Sequence, residues 1–363
     1  MENKRVLMAM SGGIDSSIAA LLLHEQGYEI IGITMKTWDF STSGGSKKET
    51  GCCSLDSIND ARYLAVNLGF PHYVLDIREE FTEKIVNNFV SEYLIGRTPN
   101  PCILCNTHIK WDALLRRADE LGCAYIATGH YARLKELDGR VYVTKGEDGS
   151  KDQSYVLWGV SQESLKRTLF PLGELQKTKV REIAQKNGFP ELAKKRESYE
   201  ICFIPDDDYR GFLKRRVEGL EDKVKGGEFV LADGKVVGKH KGFPFYTIGQ
   251  RKGLEIALGE PMYVSKINAE KNQVVLGTKE DLLSTTMWVG KLNWQKYDTI
   301  KDGMNVEVQI RHHDPGTPAQ LFNEENKIRV EFKRPVSAIS PGQSAVFFEG
   351  DDVIGGGFII ETP

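Results

Sequence analysis

Short apolar runs alternate with segments of helical periodicity through the first part of the chain. Residues 5–10 are mostly apolar and predict a strand, and apolar residues at helical spacing predict a helix over 16–25. The same reasoning predicts further strands at 29–35, 72–75 and 124–128, and further helices at 55–68, 81–94 and 106–121. Strands that alternate with helices in this way are typical of a doubly wound α/β domain with a parallel sheet.

The pattern changes after residue 210. Glycine becomes frequent, and short stretches of alternating apolar and polar residues follow one another, at 273–277, 305–311, 327–332 and 344–348. Several are separated by Gly, Asp or Pro, which indicates a β-rich region ending in a small barrel. We therefore predict a catalytic domain over residues 1–210, a small central domain over 211–280 and a C-terminal β-barrel domain over 281–363.

Composition narrows the function classes only a little. The net charge of −3 argues weakly against a nucleic-acid partner, because a groove needs only local positive charge. No apolar run approaches the length of a membrane span, so a cytoplasmic enzyme is expected. The six cysteines lie at positions 52, 53, 102, 105, 123 and 202. This crowding into one half of the chain indicates catalysis, redox chemistry or metal binding rather than a disulfide framework.

A glycine turn follows the first predicted strand. The segment 9–17 reads AMSGGIDSS, and its two glycines let several backbone N–H groups converge on an anion at the start of the next helix. It lacks the Gly-Lys-Ser/Thr of a Walker loop and the spacing of a dinucleotide fingerprint. A turn before a serine-capped helix is the structural alternative. The preceding strand favours a phosphate site. The SGGxDS pattern after this strand resembles the pyrophosphate loop of the N-type ATP pyrophosphatases, which implies that Asp15 helps to hold Mg²⁺.

Two cysteine segments could carry chemistry. Cys102 and Cys105 lie in GRTPNPCILCN, where prolines stiffen the approach and the predicted helix N-terminus beside Cys105 favours its thiolate. Cys202 lies in EICFIP, about 100 residues later. A half zinc site, a thioredoxin-like dithiol and an iron–sulfur cluster on Cys102, Cys105 and Cys202 are the alternatives to a nucleophile and persulfide pair. Cys123 is predicted to be a buried core thiol.

These segments together resemble one family. SGGIDSS, TPNPCILCN, ATGHYAR, KDQSY, EICFIP and YTIGQRKGL occur in the order found in the tRNA-specific 2-thiouridylases, the MnmA family of N-type ATP pyrophosphatases. The resemblance implies an N-terminal PP-loop domain of the adenine nucleotide alpha hydrolase type. It also implies an ATP-dependent sulfurtransferase that adenylates O2 of the wobble uridine and then replaces that oxygen with sulfur, leaving 2-thiouridine, AMP and pyrophosphate.

The resemblance also assigns roles to particular residues. Cys105 matches the family's nucleophile and Cys202 its persulfide carrier, with a disulfide between them after each turnover. Residues that match the ATP site are Ala9, Met10, Ser11, Gly12, Gly13, Ile14, Asp15, Ser16, Met35 and Gly129. Residues that match contacts with the target base or the rest of the tRNA are Asn100, Pro101, Cys102, His130, Lys151, Asp152, Gln153, Arg311, His312 and Gln343.

The resemblance also implies partners, and the sequence departs from the family pattern at two positions. The resemblance implies tRNAs for Lys, Glu and Gln, a persulfide donor such as a cysteine desulfurase or its relay protein, and a reductant for the disulfide. An aspartate in relatives is replaced here by Cys102, which puts a carboxylate base at that position in doubt. A tyrosine is replaced by His312. A PP-loop amide or amine ligase is the rival enzyme, and a nucleotide-binding redox sensor is the rival non-enzyme.

Further basic and aromatic residues are weaker candidates for tRNA contacts. Lys194, Lys195 and Arg196 border the Cys202 segment and are the best of the basic groups. For Tyr246 and Trp288, core packing is the simpler expectation than stacking on bases.

Overall fold

The computed structural model describes residues 4–38, 54–195, 201–204 and 206–363. The chain divides into two compact units. The first is made of Met1–Ile85, Cys102–Asp207 and Asp351–Val353, and the second of Val86–Pro101, Asp208–Gly350 and Ile354–Pro363. The predicted loop at 41–51, the cysteines at 52 and 53, and Arg196 lie outside the described residues.

The first unit is built on a parallel sheet, as the sequence predicts. Its strands in chain order are β1 (Arg5–Ala9), β2 (Glu29–Lys36), β3 (His72–Asp76), β4 (Tyr125–Ala127), β5 (Ala132–Leu137), β6 (Arg140–Lys145) and β7 (Thr168–Leu169). Five of them form a sheet in the order β3-β2-β1-β4-β7, with every adjacent pair parallel. β5 and β6 form an antiparallel hairpin. β1 has an apolar, buried centre, as expected of a strand covered on both faces.

The strand order reverses direction between β1 and β4. Chain order runs outward from β1 through β2 to β3, and then returns to the other side of β1 as β4. In open α/β sheets, ligands bind at the carboxyl ends of the strands beside such a reversal. Residues following Ala9 and Ala127 therefore occupy the position where this fold presents a ligand site.

Helices cover this sheet and continue into the second unit. The helix after β1 is α1 (Ile14–Glu25), with Gly27 at positive φ just beyond its end. The other α-helices are Leu55–Leu68, Arg78–Phe81, Asn87–Leu94, Pro101–Leu104, Asp112–Glu120, Gln162–Lys166, Lys177–Lys186, Pro190–Lys194, Tyr209–Arg216 and Leu220–Val224. Short 3₁₀ turns occur at Ser154–Leu157, Phe243–Phe245 and Glu280–Leu282. None of the helices in the described part of the chain is long and apolar enough to cross a bilayer.

Two helices contain π-helical segments that the sequence pattern does not reveal. Thr82–Val86 is π-helical between Arg78–Phe81 and Asn87–Leu94. Cys105–Trp111 is π-helical between Pro101–Leu104 and Asp112–Glu120. The helix predicted to begin at residue 106 thus begins at Pro101, because proline is well suited to a first helical position. π-Segments of this kind frequently mark functional sites.

The second unit is β-rich, as predicted. β8 (Gly227–Leu231), β9 (Val236–His240), β10 (Tyr263–Asn268) and β11 (Gln273–Gly277) form a sheet in the order β10-β11-β8-β9. The later strands are β12 (Leu283–Trp294), β13 (Met304–Gln309), β14 (Thr317–Glu324), β15 (Lys327–Ser337), β16 (Ser344–Glu349) and β17 (Asp352–Glu361). They run in the order β12-β15-β14-β13-β16-β17, and β17 pairs with β12 to close a six-stranded barrel. Alternate apolar side chains of these strands fill the barrel core.

Candidate active site

The glycine turn after β1 forms a backbone cradle at the start of α1. Gly13 is the N-cap residue and carries no side chain that could cap the helix. Ser11 and Ser16 hold the turn instead, because Ser11 N–H donates to Ser16 Oγ at 3.1 Å and the two hydroxyls lie 3.2 Å apart. The serine-capped alternative is therefore wrong, and the first N–H groups of α1 are left for an anion.

Gly129 closes one side of this cradle. It follows β4, and a Cβ placed on it would lie 2.7 Å from Ser16 N and 2.8 Å from the carbonyl carbon of Asp15. Gly12 is tight on the other side, where a Cβ would collide with the Ser57 backbone. The two loops on either side of the strand reversal thus meet backbone to backbone. This arrangement fits ATP phosphates, which need N–H groups rather than side chains close by. Met35, at the end of β2, is half-buried.

Asp15 has partners in the structure other than a metal ion. Lys177 Nζ lies 2.7 Å from both carboxylate oxygens, and Tyr131 Oη donates to Oδ1 at 2.7 Å. Among the described residues, no group of three His, Cys, Asp or Glu side chains is placed to hold a metal. These contacts occupy the Asp15 carboxylate in the structure, and its role as a ligand of Mg²⁺ stays a prediction.

Cys102 and Cys105 lie one turn apart near the start of the helix that begins at Pro101. Cys102 is exposed and Cys105 is half-buried at the first position of the π-segment. Asn106 anchors the segment through a 2.9 Å bond from its Nδ2 to the carbonyl oxygen of Val156, and buried Trp111 donates to Thr168 Oγ1 at 2.8 Å. Although the Cys102 side chain reaches solvent, the protein around it raises the pKa of the thiol through desolvation, opposed by Lys110. Cys102 is therefore a poor base at neutral pH.

Cys202 lies in a tight turn anchored by the two residues after it. Ile204 N–H donates to the carbonyl of Ile201 at 2.8 Å, Phe203 and Ile204 are buried, and Cys202 itself is half-buried. Phe203 packs edge-on against Phe81, with ring centroids 5.8 Å apart. The helix Arg78–Phe81 also contacts the segment Cys105–Trp111. Both cysteine segments thus pack on the same short helix of the first unit.

The predicted tRNA residues His130, Lys151, Asp152 and Gln153 of the first unit are buried or half-buried. His130 is buried against Trp111, and its Nδ1 lies 2.7 Å from Thr128 Oγ1. Burial lowers the pKa of His130 well below its usual value, so the ring is neutral at pH 7. Lys151, Asp152 and Gln153 are half-buried, and the Asp152 carboxylate accepts from Gly146 N–H at 2.9 Å.

The predicted tRNA residues of the second unit divide into two groups. Arg311 and His312 are exposed in the loop between β13 and β14. Gln343 and the loop at residues 98–100 are joined, because Gln343 Nε2 donates to the carbonyl oxygens of Thr98 and Pro99 at 3.0 and 3.2 Å. Asn100 is half-buried and Pro101 is buried. These roles in tRNA binding stay predictions.

Comparison with known proteins identifies the family of this chain. Family models match three consecutive segments, described as tRNA methyl transferase HUP domain (residues 4–206), tRNA methyl transferase PRC-barrel domain (210–278) and Aminomethyltransferase beta-barrel domain (284–359). A tRNA-specific 2-thiouridylase MnmA from Amoebophilus asiaticus (strain 5a2) is 66% identical over 99% of this chain and 96% of its own length. The chain belongs to the tRNA-specific 2-thiouridylase family.

Other relatives carry the same name. The 2-thiouridylases of Cytophaga hutchinsonii and Salinibacter ruber are 62% and 54% identical, over 98% and 99% of this chain and 97% and 94% of their own lengths. The descriptions of the family models refer to methyl transfer, but the relatives that match over nearly the full length are 2-thiouridylases. The family assignment rests on these relatives. A solved 4-thiouridine synthetase–RNA complex with bound ATP is 18% identical, with a TM-score of 0.37 over 59% of this chain and 50% of that chain.

The structure also bears on the other roles considered for the cysteines and on two aromatic residues. The iron–sulfur alternative has no support, since Cys102, Cys105 and Cys202 do not form a metal-binding group among the described residues. Cys123 is buried, and its position in the core confirms the prediction. Tyr246 is likewise buried, as core packing predicts, whereas Trp288 is half-buried and donates to Glu324 at 2.9 Å.

Two basic residues, Lys177 and Arg210, are important in the structure although the sequence does not predict it, and Lys195, which the sequence does predict, contacts the nucleotide turn. Lys177 contacts Asp15, and Lys195 donates to the carbonyl of Gly12 at 2.8 Å and pairs with Asp60. Arg210 lies 5.7 and 6.0 Å from the ring centroids of Tyr209 and Tyr246, and within the described ranges it has no carboxylate partner. The sequence signal for Lys177 is the absence of lysine from the nucleotide turn, which leaves other segments to supply positive charge.

Proposed function

We propose that this 2-thiouridylase transfers sulfur to C2 of the wobble uridine in tRNA at the expense of ATP. The observation that carries the proposal lies in the first unit. The nucleotide cradle at the strand reversal and the two cysteine segments packed on Arg78–Phe81 belong to one compact body. An ATP pyrophosphatase site with thiols is what oxygen-to-sulfur exchange requires.

ATP activates a poor leaving group. The C2 carbonyl of uracil is urea-like, and its oxygen cannot depart unaided. Attack of O2 on the α-phosphate would release pyrophosphate and leave AMP on that oxygen. The backbone N–H groups at Gly13 and the first turn of α1 would stabilise the phosphate charge, since donors already in place need not reorganise during the reaction. ATP is expected to enter as its Mg²⁺ complex.

Sulfur would arrive as a persulfide on Cys202. Its terminal sulfur attacks C2 and AMP leaves, while the Cys105 thiolate attacks Cys202 Sγ and breaks the S–S bond. The thione sulfur stays on the base, and a Cys105–Cys202 disulfide stays on the protein. An external dithiol must then supply two electrons and two protons. A cysteine desulfurase or its relay protein would reload Cys202.

The tRNA contacts are proposed to extend over the second unit. The segment matched by the PRC-barrel model, residues 210–278, contains 13 Lys and Arg against 8 Asp and Glu, whereas the whole chain has a net charge of −3. This local positive charge suits a phosphate backbone. Arg210 and the exposed Arg311 and His312 are the individual contacts we expect. Together such contacts offset the cost of about a few kcal/mol for flipping the base.

The test is a mercury-gel assay of tRNA for Lys, Glu and Gln from cells with and without this protein. We expect thiolated tRNA to disappear in the deletion strain and to return with the wild-type chain, but not with Cys105→Ser or Cys202→Ser. Cys123→Ser is the matched control, because Cys123 is buried in the core. A PP-loop amide or amine ligase would retain activity in Cys105→Ser. Thiolated tRNA in the deletion strain would reject the proposal.

An assay of pyrophosphate release by the purified protein also distinguishes an enzyme from a nucleotide-binding sensor. The proposal predicts pyrophosphate release that depends on unmodified tRNA, and ATP binding alone would favour the sensor. We expect the reaction to take place in the cytoplasm, where tRNA, ATP and persulfide carriers occur together.

A further inference from the structure

The carboxylate of the nucleotide turn is held from two sides. Lys177 Nζ lies 2.7 Å from both oxygens of Asp15, and Tyr131 Oη donates to one of them at 2.7 Å. The Lys177 side chain is only 9% exposed, and its ammonium also lies 5.6 Å from the centre of the Tyr131 ring. A buried ammonium of this kind needs an anionic partner, because burying it alone would be very costly.

Both partners of Asp15 are fixed by one segment, residues 146–154, called here the 146–154 turn. Gln153 Oε1 accepts from Tyr131 N–H at 3.0 Å, and Gln153 N–H donates to the Tyr131 carbonyl at 2.9 Å. Asp148 Oδ2 accepts from the backbone N–H of Lys177 at 2.9 Å. The turn therefore holds the backbone of Tyr131 and of Lys177 at the same time.

The turn is itself internally braced. Asp152 Oδ1 accepts from Gly146 N–H at 2.9 Å, and its Oδ2 accepts from the Ser154 hydroxyl at 2.7 Å. The Ser150 hydroxyl donates to Asp148 Oδ1 at 2.6 Å. We expect a segment with these internal bonds to move as one piece. A displacement at residues 151–153 is therefore passed to Tyr131 and Lys177, and through them to Asp15.

We propose that Lys177 and Tyr131 are positioning residues that hold the Asp15 carboxylate and couple the nucleotide turn to the 146–154 turn. The affinity for ATP consequently depends on what the 146–154 turn binds. This inference rests on the proposed function in one respect, because it takes residues 151–153 to contact tRNA. The coupling is reciprocal, so ATP changes the affinity for tRNA by the same factor.

The physical basis is the charge beside α1. The Asp15 carboxylate lies in the first turn of the helix whose N-terminus forms the cradle, and uncompensated it would repel a triphosphate. Lys177 neutralises it, and the Tyr131 hydroxyl fixes its orientation. Removing either partner should weaken ATP binding and should also uncouple it from the RNA.

The experiment measures the dissociation constant for ATP with and without a saturating anticodon stem–loop RNA. It uses the full chain carrying Lys177→Met, Lys177→Arg, Tyr131→Phe or Gln153→Leu. Lys179→Met is the matched lysine control, since Lys179 lies on the same helix and pairs on the surface with Glu182. Tyr125→Phe is the matched tyrosine control. Thermal unfolding of every variant separates loss of fold from loss of coupling.

In the wild type we expect the RNA to change the ATP dissociation constant by about fivefold or more, in the usual range of coupling between sites. Tyr131→Phe and Gln153→Leu should bring that factor towards one while the protein stays folded. Lys177→Met should also raise the ATP dissociation constant measured without RNA by about tenfold. Lys177→Arg should retain part of the affinity for ATP.

An unchanged coupling factor in folded Tyr131→Phe and Lys177→Met would overturn the proposal, as would the absence of coupling in the wild type. Formation of 2-thiouridine by the wild type is scored separately. A chain that thiolates tRNA but shows no coupling would reject this inference and leave the proposed function intact.

Discussion

The side-chain amide of Gln343 donates a hydrogen bond to the carbonyl oxygen of Thr98, 245 residues earlier in the chain. A second bond reaches the carbonyl of Pro99, and Thr98 N–H donates to the carbonyl of Pro341 at 2.9 Å. Gly342 permits this approach, since a Cβ on it would lie 2.9 Å from the Thr98 oxygen. The loop that leads into the Cys102 helix is thus held by the segment just before β16.

Gln343→Leu should slow thiolation without weakening ATP binding. The variant removes both N–H donors to the loop at 98–99, so the adjoining Asn100 loses its fixed position. We expect kcat/KM for tRNA to fall about tenfold, as misplacement of a positioning group does. Steady-state kinetics would check this, with Gln320→Leu as the matched glutamine of the barrel. Full activity in Gln343→Leu would show that these two bonds are dispensable.

Gly129→Ala should disrupt the ATP cradle. Its Cβ would lie 2.7 Å from Ser16 N, against backbone that cannot rotate away as a side chain could. The first turn of α1 must then shift, and we expect ATP affinity to fall at least about tenfold. Equilibrium nucleotide binding measures the effect. Gly290→Ala is the control, because its nearest neighbours would lie at ordinary contact, 3.4 Å. Equal affinities in both variants would contradict the tight approach.

Arg210→Met should weaken tRNA binding while leaving ATP binding unchanged. Two tyrosine rings flank the guanidinium, and its Nε is buried without a hydrogen-bond partner in the described part of the chain. We expect the dissociation constant for tRNA to rise about tenfold at 0.1 M salt, with a shallower dependence on salt. Filter binding at several salt concentrations would show this. Arg117→Met removes a surface ion pair with Glu120 and serves as the control.

The second unit should lose stability on mild acidification through His240. Burial lowers the pKa of His240 to about 4, an effect opposed by the backbone and carboxylate of Glu228. Because the folded pKa lies below the unfolded value of about 6.5, the unfolded state binds more protons between these values. The free energy of unfolding should therefore fall as the pH drops from about 6.5 to 4, by at most about 1.4 kcal/mol per pH unit from this group.

Urea denaturation at several pH values would check this linkage. His240→Asn retains an oxygen that can accept from Gly242 N–H, as His240 Nδ1 does at 3.0 Å. The variant should show the shallower dependence on pH. Burial also lowers the pKa values of His72 and His130, but these act in both proteins and cancel in the comparison. Parallel curves for the two proteins would rule out the assignment to His240.

The sequence by itself determined the parallel sheet with its nucleotide turn, the closed barrel near the C-terminus and the burial of Cys123. These follow from periodicity and turn residues, which act over a few positions of chain. The motif order also identified the family, which the full-length relatives confirm.

Only the tertiary structure decided which side chains meet. Asp15 and Lys177 are 162 residues apart, and nothing in the local pattern of either segment indicates the other. The π-segment at Cys105–Trp111 likewise depends on distant anchors at Val156 and Thr168. Periodicity records which face of an element is apolar, whereas an ion pair or a buried amide bond depends on where folding brings a remote segment.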